Sequence, residues 1–461
     1  VCCGGGGVTT AQLGTGGINL DLPASEPDQV MNGPLDRGSL HPDDGGQSVV
    51  SFNLVDTKYS SHHRGSHALL PGAETLANLA IGANGVDKPV KFDGTTCKDL
   101  EIAAPSTAPT TALGAAGNLT GTYQYQVTFV STSGAETNPG SASTPLAATS
   151  DMILLTAIPT GGTEVASRKI YRTLTDGSVF YYLDTIVNNT VTTYTDDITD
   201  ANLGTDLVPE THTVPPTNGK FPTVYKEFLF LVDPDLPTRV YFSHQSFPEI
   251  FYTTEGTGYY MIIGLNDGED VIGMKSLREK LYVFKERSTW PILGDSPDDF
   301  KTTSQALTSS IGLYHHSMDY VDMGNGELIV GLGKNGLYTF DGYSYQNIGV
   351  QPSKGINISA FIQSLDKNQL YKARGFNDIK NNKYRLSVMQ SGYSYNNKEI
   401  VWDYKHNWIA IHNIKRNSMV EWNNAVLFGS SQSDSLIHQV GGFNDNGTAI
   451  SIIAEFPWWP L

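Results

Sequence analysis

Two groups of adjacent histidines are the first candidates for chemistry in this sequence. His62-His63 with His67 is one group, and His315-His316 is the other. Histidines at the first spacing could bind a metal if one face of a helix carried them. The serines and glycine around them disfavour a helix, and no cysteine or carboxylate lies close, so the ligand set is incomplete. The second pair lies in Gly312-Leu313-Tyr314-His315-His316, where we expect a blade turn and rings that point to opposite faces of a strand. We predict no metal-binding residues.

Adjacent carboxylates are the second candidates, because glycosidases use a pair of them. The pairs are Asp43-Asp44, Asp196-Asp197 and Glu269-Asp270. All three lie in Gly- or Thr-rich stretches, where we expect an acidic side chain to cap the backbone of a turn. The sialidase Asp box is also absent, since Ser288-Thr289-Trp290 lacks the Asp and Gly that should precede it. We predict no catalytic residues and no enzymatic activity.

Motifs for cofactors and nucleophiles are absent from the sequence. Gly4 to Gly7 is followed by no Lys-Ser/Thr pair, so it does not match a phosphate-binding loop. No Gly-x-Ser-x-Gly elbow occurs. The three cysteines, Cys2, Cys3 and Cys97, have neither zinc-site spacing nor the pattern of a disulfide framework. We predict no cofactor and no cofactor-binding residues.

The composition indicates a β-rich chain with an acidic surface. Of 461 residues only 17% are charged, and Gly (47), Pro (23) and Tyr (23) are frequent, which is typical of many strands and turns. The formal net charge is −17, so the chain does not suit a protein that clamps nucleic acid through its phosphates. A channel through which DNA slides without sticking remains compatible with that charge. We find neither a membrane-spanning stretch nor a secretory signal.

A repeated hairpin unit organises the sequence. Its clearest copy is 327–349, in which Asn335-Gly336 separates two β-rich runs and Asp341-Gly342 turns the chain again. Looser copies occur near residues 84–94, 281–294 and 400–410. A single hairpin cannot bury its apolar face, so the recurrence predicts sheets stacked around a shared core, as in a β-propeller. Only Ile358 to Leu370 favours a helix.

Residues 122–214 differ from this pattern and predict a separate sandwich. Tyr123, Tyr125, Val127 and Phe129 alternate with polar residues, which is the period of a strand with one buried face. About seven short strands in about 100 residues are typical of an immunoglobulin-like sandwich. The aromatic markers Phe230, Phe284, Phe340 and Trp402 then recur at roughly the length of a propeller blade with loop insertions.

These patterns predict an all-β chain in four parts. They are an extended N-terminal arm (1–50), the first part of a propeller (51–104), an inserted immunoglobulin- or fibronectin-like sandwich with its linkers (105–216), and the remainder of the propeller (217–461). We interpret 105–121 as a linker from its Ala, Thr, Pro and Gly content. Linkers at both ends predict few contacts between the sandwich and the rest. The chain stops inside the apolar run Phe456–Leu461, so we expect the natural protein to continue.

Several segments, taken in their order, resemble β-propeller proteins from the tails of bacteriophages. In the array they are Arg239–Ser243, Phe247–Glu249, Asn266–Met274, Lys280–Lys285 and Gly333–Gly342. In the sandwich they are Gly121–Tyr125, Arg168–Thr173 and Thr193–Asp196. The family resembled comprises tail nozzle or tubular proteins and related packaged-DNA stabilisation proteins, and the resemblance covers roughly residues 76–461. Its motifs are structural and carry no catalytic residue.

The resemblance implies a structural protein of the virion, located in the phage tail. Such subunits form a homo-oligomeric ring, with a hexamer favoured, below the portal and adaptor, and the ring continues the DNA ejection channel. DNA would pass through it without sequence-specific binding, because an acidic lumen repels phosphates. Two alternatives stay open: a receptor- or glycan-binding tail protein, which a groove of clustered Tyr and Trp would favour, and a propeller glycosidase, which two facing carboxylates in a central pocket would favour.

Overall fold

The chain is all-β in the computed structural model, which describes residues 51–55, 79–92, 96–254, 257–258, 260–265, 267–308, 310–324, 326–422, 425–431, 436–438, 444–445 and 448–449. Every strand pairing in these ranges is antiparallel, and the single α-helix among them is α1 (Ser359–Gln363), inside the stretch that the sequence favours for a helix. None of the helices in the described part of the chain is long and apolar enough to cross a membrane. The predicted arm, 1–50, lies outside the described residues.

One sheet precedes the inserted sandwich in the chain, and another sheet follows it. Sheet 1 comprises β1 (Ser51–Val55), β2 (Leu79–Ala83), β3 (Val90–Phe92) and β4 (Cys97–Asp99). The sandwich comprises β5 (Thr110–Tyr123), β6 (Tyr125–Ser131), β7 (Leu146–Thr156), β8 (Val165–Thr173), β9 (Phe180–Ile186) and β10 (Tyr194–Asp196). Sheet 2 comprises β11 (His212–Thr213), β12 (Lys220–Tyr225), β13 (Phe228–Val232), β14 (Arg239–His244), β15 (Phe247–Thr254), β16 (Thr257–Gly258) and β17 (Tyr260–Ile262).

The remaining sheets follow one another along the chain. Sheet 3 comprises β18 (Val271–Leu277), β19 (Lys280–Lys285), β20 (Thr289–Leu293) and β21 (Lys301–Thr302). Sheet 4 comprises β22 (Asp319–Asp322), β23 (Glu327–Gly333), β24 (Gly336–Phe340) and β25 (Tyr345–Asn347), and the hairpin β26 (Val350–Gln351) and β27 (Ile356–Asn357) follows it. Sheet 5 comprises β28 (Arg374–Asp378), β29 (Lys383–Val388), β30 (Lys398–Asp403) and β31 (Trp408–His412). Sheet 6 comprises β32 (Arg416–Trp422), β33 (Ala425–Ser430) and β34 (Leu436–His438), before a last hairpin of β35 (Asn444–Asp445) and β36 (Thr448–Ala449).

The first strands of successive sheets lie close together, as in a β-propeller. In sheet 1, β1 and β2 contact β12, the first strand of the next sheet's meander, and β12 contacts β18. Further along, β22 contacts β28, and β28 contacts β32. Between β18 and β28 lies the 3-10 turn His315–Ser317, which contacts both strands. The first strands therefore form an inner layer, and the later strands of each meander extend outward from it.

The central hairpin forms where the sequence predicts it, although not by the predicted backbone conformation. Gly333 pairs with Gly336, so Lys334 and Asn335 are the two loop residues. Neither of them has a positive φ, and nor has Gly336, although the prediction rested on the tolerance of Asn335 and Gly336 for that conformation. At the following turn the Asp341 carboxylate accepts hydrogen bonds from the backbone N–H groups of Tyr343 and Ser344, both at 2.7 Å, which is the expected Asx chemistry.

The four aromatic markers are all fully buried, but they do not occupy equivalent strands. Phe230 and Phe284 lie on the second strands of their meanders, β13 and β19. Phe340 and Trp402 lie on the third strands, β24 and β30. Each marker still identifies one sheet. The second and third strands also have a buried apolar face, and aromatic residues are common on such faces. Their spacing therefore measures the sheet repeat only loosely.

The interpretation of 105–121 as a linker is wrong over most of its length. Strand β5 begins at Thr110 and pairs with β7 as far as Tyr123. Its side chains are mostly exposed before Leu119, so small and polar residues suffice there. Composition alone could not separate such an edge strand from a linker, because both are poor in large apolar residues.

The sandwich packs two three-stranded sheets against each other. Their strand orders are β10-β7-β5 and β6-β8-β9, six strands where the sequence predicts about seven. Tyr125, Val127 and Ile170 are fully buried between the sheets, so the predicted alternation correctly gives the buried face.

A buried ion pair joins Arg172 to Asp196 at 2.7 Å, and the Tyr125 hydroxyl donates to the same carboxylate at 2.7 Å.

The sandwich contacts the array through a local buried junction. Ile102, Phe129 and Val165 form one buried cluster with Ile250 of β15, and Phe247 packs against it. The Ser133 hydroxyl donates a hydrogen bond to the Glu249 carboxylate, which is buried in the same junction. The contacts arise because the turn after β6 reaches the edge of sheet 2.

Candidate functional site

The turn His315–Ser317 lies between the inner strands β18 and β28, and each strand has a glycine where it approaches the turn. A Cβ on Gly273 would lie 2.9 Å from the backbone N of His315, and one on Gly375 would lie 2.1 Å from the carbonyl O of Ser317. Glycine at both positions lets β18 and β28 approach the turn. The Ser317 hydroxyl donates to the Tyr314 carbonyl at 2.7 Å and accepts from the Leu332 N–H at 2.8 Å, which fixes the turn to sheet 4.

Both histidines of the turn face the same aromatic ring. The ring centroid of Phe221 lies 4.8 Å from that of His315 and 6.2 Å from that of His316, and the two imidazole centroids are 5.0 Å apart. The turn lies where the sequence predicts it, but the expectation that the two rings point to opposite faces is wrong. A 3-10 turn of about three residues per turn does not impose the alternation of a strand, so neighbouring side chains can converge.

A backbone irregularity directs Phe221 toward the histidines. The pairing of β12 with β13 shifts between Lys220 and Thr223, and Phe221 within this bulge has φ of 58°. A bulky residue in this region is strained by about 1–3 kcal/mol, which the surrounding contacts must offset. Bulges redirect side chains in this way next to functional sites.

Two cationic side chains complete what we call the central cluster: Phe221, Lys275, His315, His316 and Arg374. The Lys275 Nζ lies 4.3 Å from the centroid of the Tyr320 ring and has no hydrogen-bond acceptor among the described residues. Arg374 is 7% exposed, and its Nη1 donates to the carbonyls of Tyr371 and Ala373 at 3.1 and 3.0 Å. Its Nε is buried without a partner.

The electrostatics of the cluster keep the imidazoles neutral. Burial, followed by the charges of Lys275 and Arg374, lowers the pKa of His315 to about 3. Burial and then the charge of Arg374 hold the pKa of His316 well below its ordinary value. Burial also lowers the pKa of Lys275, against the opposing charges of Asp319 and Glu327, and lowers the pKa of Arg374 to about 9. Burial first, and nearby positive charge second, therefore keep both histidines neutral at neutral pH.

A second buried group of charges is fully paired and suits a structural role. Glu399 lies between Arg385 and Arg416, with ion-pair distances of 3.5 and 2.8 Å, and Arg385 also pairs with Asp378 at 3.0 Å. Burial alone would raise the pKa of Glu399, but the hydrogen bond with His412 and the two guanidinium charges outweigh it and lower the pKa. A carboxyl group held ionised in this way cannot act as a general acid.

The predicted acidic pairs separate into different roles. Asp196 is the last residue of β10, and its carboxylate accepts from the backbone N–H of Ile198 at 2.9 Å, as expected of a turn cap, and also pairs with buried Arg172. Asp197 does act as a cap, accepting from the backbone N–H of Asn118 at 2.6 Å. Glu269 pairs with exposed Arg287 at 2.5 Å, and Asp270 is exposed. Neither pair assembles two carboxylates at one site.

The remaining candidate residues from the sequence have no described position in the structure. His62, His63, His67, Asp43 and Asp44 lie outside the described residues, as do Cys2 and Cys3. Within the described ranges, no group of three or more His, Cys, Asp and Glu side chains could hold a metal ion.

The most exposed aromatic side chains in the described part of the chain come from different elements of sheets 4 and 5. Tyr343, Tyr371, Tyr393 and Trp408 are 40–68% exposed, but they lie on separate turns and strands of sheets 4 and 5. A cleft of about 410 Å³ beside the sandwich contains Phe129 as its aromatic residue, and one of about 220 Å³ at the tip of the central hairpin contains Tyr338. Each of these two clefts has a single aromatic residue in its lining.

The central cluster could not be found from the sequence by spacing. Its members come from β12, β18, a turn and β28, and only the adjacent pair His315-His316 gave a signal. The alternation of side chains that holds in a strand does not apply to this pair, because it lies in a turn.

The comparisons with known proteins give distant structural similarity alone. No protein-family model matches it, and no curated protein does. Among solved structures it is similar to the extracellular domain of a hybrid two-component system from B. thetaiotaomicron, with 8% identity and a TM-score of 0.32, over 83% of this chain and 40% of that one. It is also similar to BamB from Moraxella catarrhalis, with 11% identity and a TM-score of 0.30, over 85% of this chain and 96% of that one. The chain thus spans less than half of the first structure, and similarity this distant carries no functional argument.

Proposed function

We propose that this chain is a structural protein of a tailed-bacteriophage virion, a nozzle or adaptor-proximal ring subunit that forms part of the DNA ejection channel. The observation that carries the proposal is the arrangement of the parts, a sandwich inserted after the first sheet of a propeller-like array and fixed to the second. This is the order of parts in which the sequence segments resemble the tail nozzle family. In the proposal, copies of the chain form a homo-oligomeric ring, with six subunits favoured, next to the adaptor and portal.

The buried junction supports a mechanical role. The Lys91 Nζ of β3 pairs with Glu249 of β15 at 2.5 Å, and Ser133 of the sandwich donates to the same carboxylate. Sheet 1, the sandwich and sheet 2 therefore meet at one polar group inside an apolar shell. A subunit held in this way presents a fixed surface to its neighbours, as a ring under pressure from packaged DNA requires.

The charge balance supports passage of DNA rather than binding. A net charge of −17 per subunit would repel phosphates from a lumen, so DNA moves without sticking and without sequence-specific contacts. The same charge makes subunits repel one another, so the interfaces must bury apolar or locally paired surface.

The test is to image the purified full chain and the particle that contains it. Negative-stain images and mass measurement should show a ring with an open channel, and labelling of particles should fall on the tail axis. Labelling confined to fibres or spikes would favour the receptor-binding alternative, and a monomer at all concentrations, absent from particles, would contradict the proposal. A variant lacking residues 1–50 then tests the arm: monomers would assign it the interface, and rings would place the interface on the sheets.

A further inference from the structure

Strand β31 (Trp408–His412) leaves the outer edge of sheet 5 open. It pairs with β30 through all five residues without a register shift, and no backbone hydrogen bond joins it to another strand in the described part of the chain. The outermost strands of sheets 1, 3 and 4 are blunted, as edge strands usually are: β4 carries Lys98 and Asp99, β21 has two residues and β25 has three. Strand β31 carries no Lys, Arg, Asp, Glu or Pro, so it retains the backbone donors and acceptors for one more strand.

Both faces of β31 carry apolar side chains at this edge. Ile409 packs on the core cluster that contains Trp402, and Ile411 lies on the same face but is 39% exposed. On the opposite face the Trp408 ring is 40% exposed, and the Lys383 Nζ lies 5.5 Å from its centroid. Exposed apolar surface is unfavourable in water, so an added strand that covered Ile411 would be stabilised.

The surroundings of β31 are basic, although the chain as a whole is acidic. Residues 404–420 contain no Asp or Glu, and Lys405 and Lys415 are exposed there. The two carboxylates of β30, Glu399 and Asp403, are buried and already paired, so they do not offset the exposed lysines. Electrostatic attraction at this edge therefore favours an acidic segment.

The N-terminal arm (1–50) contains a segment that matches this edge. Ile18-Asn19-Leu20-Asp21-Leu22 has the five residues of β31 and three apolar side chains at a period of two, and Gly16-Gly17 and Pro23 bound it. The arm carries six carboxylates and one Arg, hence a net charge of −5. The 28 residues 23–50, which join the segment to β1, extend to about 90 Å when fully stretched, which is far enough to reach a neighbouring copy.

We infer that β31 is the docking edge for Ile18–Leu22 from the arm of a neighbouring copy, which adds to sheet 5 as a fifth strand. In this arrangement the three apolar residues of the segment lie on the face of Ile411, and Asp21 lies on the opposite face, where Lys383 lies. Backbone hydrogen bonds supply the affinity, and the side-chain pairs set the register. A contact between two different surfaces of identical copies closes into a ring. The inference rests on the proposed function for its ring and specifies the surface that receives the arm.

Two full-length variants test the site by complementation. Leu20→Asp receives an arm but cannot donate one, and Ile411→Lys donates an arm but cannot receive one. We expect each variant alone to be monomeric where the parent forms rings, and an equimolar mixture to form a 1:1 dimer, because one intact arm and one open edge remain. Native mass spectrometry measures the masses. Rings in both single variants would overturn the docking and leave the tail assignment standing, and monomers in the mixture would also overturn it. A dimer in the mixture, with labelling of particles away from the tail axis, would support the docking and contradict the tail assignment alone.

Two matched controls and hydrogen exchange make the test specific. Leu35→Asp places the same substitution elsewhere in the arm, and Ile262→Lys changes an isoleucine that is 38% exposed on β17 of sheet 2. Both should form rings like the parent. The amides of β31 that point away from β30 should exchange at least about ten-fold faster in Leu20→Asp than in the parent, while exchange in β29 stays unchanged and shows that the fold is intact. Equal exchange at β31 in the two proteins would contradict the docking.

Discussion

The Nζ of Lys91 lies 2.5 Å from Oε1 of Glu249, and both side chains are buried at 6% and 1% exposure. The two residues are 158 positions apart, and the whole sandwich lies between them in the chain. Because Ser133 of the sandwich donates to the same carboxylate, Glu249 is the polar centre at which sheet 1, sheet 2 and the insert meet.

Lys91→Met leaves Glu249 buried with only the Ser133 hydroxyl as a partner. We expect the free energy of unfolding to fall by about 3 kcal/mol, since removing one member of a buried pair leaves an uncompensated charge. Urea titration monitored by tryptophan fluorescence measures it.

The pair of Lys88 and Glu101 provides a control with the same 2.5 Å separation at the surface. Lys88→Met should cost less than about 1 kcal/mol, because water and salt screen exposed pairs. Equal losses in the two variants would show that burial at the junction is not what stabilises the Lys91 pair.

Phe247→Ala should loosen the sandwich from the array. Phe247 packs against the cluster of Ile102, Phe129 and Ile250, so its loss removes apolar contact on one side of the junction. We expect a loss of about 2 kcal/mol and faster proteolysis near residues 103–109, before β5 begins. Tyr343→Ala, at a side chain that is 68% exposed, is the control and should change neither. Unaltered proteolysis in Phe247→Ala would mean that the polar contacts alone hold the sandwich.

Asp196→Asn and Asp197→Asn separate two carboxylates that look alike in the sequence. The first removes the charge that neutralises buried Arg172, so we expect a loss of about 3 kcal/mol, moderated by the remaining bond from Arg172 to Asp200 at 2.9 Å. The second weakens only the cap on Asn118 and should cost about 1 kcal/mol. Thermal unfolding of both variants measures the difference, and a reversed order would contradict the assignment of roles.

Acid should destabilise the fold before its carboxylates titrate. Burial lowers the pKa of His244 to about 3, as it does for His315, while an unfolded histidine titrates near 6.5. Below pH 6.5 the unfolded chain therefore binds protons that the folded chain does not, and stability falls as pH falls from about 6.5 toward 3. Each such histidine adds up to about 1.4 kcal/mol per pH unit to the slope.

His244→Phe isolates one of these histidines. Its ring stacks on Tyr252 at 3.6 Å between centroids, so phenylalanine preserves the packing and removes the titration. Urea midpoints between pH 6.5 and 5.0 should fall less steeply in the variant than in the parent. Identical slopes of urea midpoint against pH would mean that His244 takes up its proton as readily in the folded protein as in the unfolded chain.

The sequence predicts those features of the fold that depend on residues close together in the chain. The hairpin at Gly333 and Gly336 and the buried alternation at Tyr125 and Val127 follow from turn chemistry and a period of two, which neighbours in the chain decide. Strand β5 was missed because Thr110 to Gly117 carries no apolar alternation, and its pairing with β7 is decided by the partner strand. The contact of Phe221 with His315 and His316 was missed for the same reason on a larger scale, since strand β12 and the turn are far apart in the chain.

The close contact between Gly375 and the turn His315–Ser317 affects how this region should unfold under a pulling force. One short turn contacts the inner strands of sheets 3 and 5 and is hydrogen-bonded to sheet 4. Separating any two of these sheets must first withdraw that turn, so tension applied at one sheet is shared by its neighbours. In a pulling experiment this region should therefore rupture in one high-force event rather than peel apart sheet by sheet.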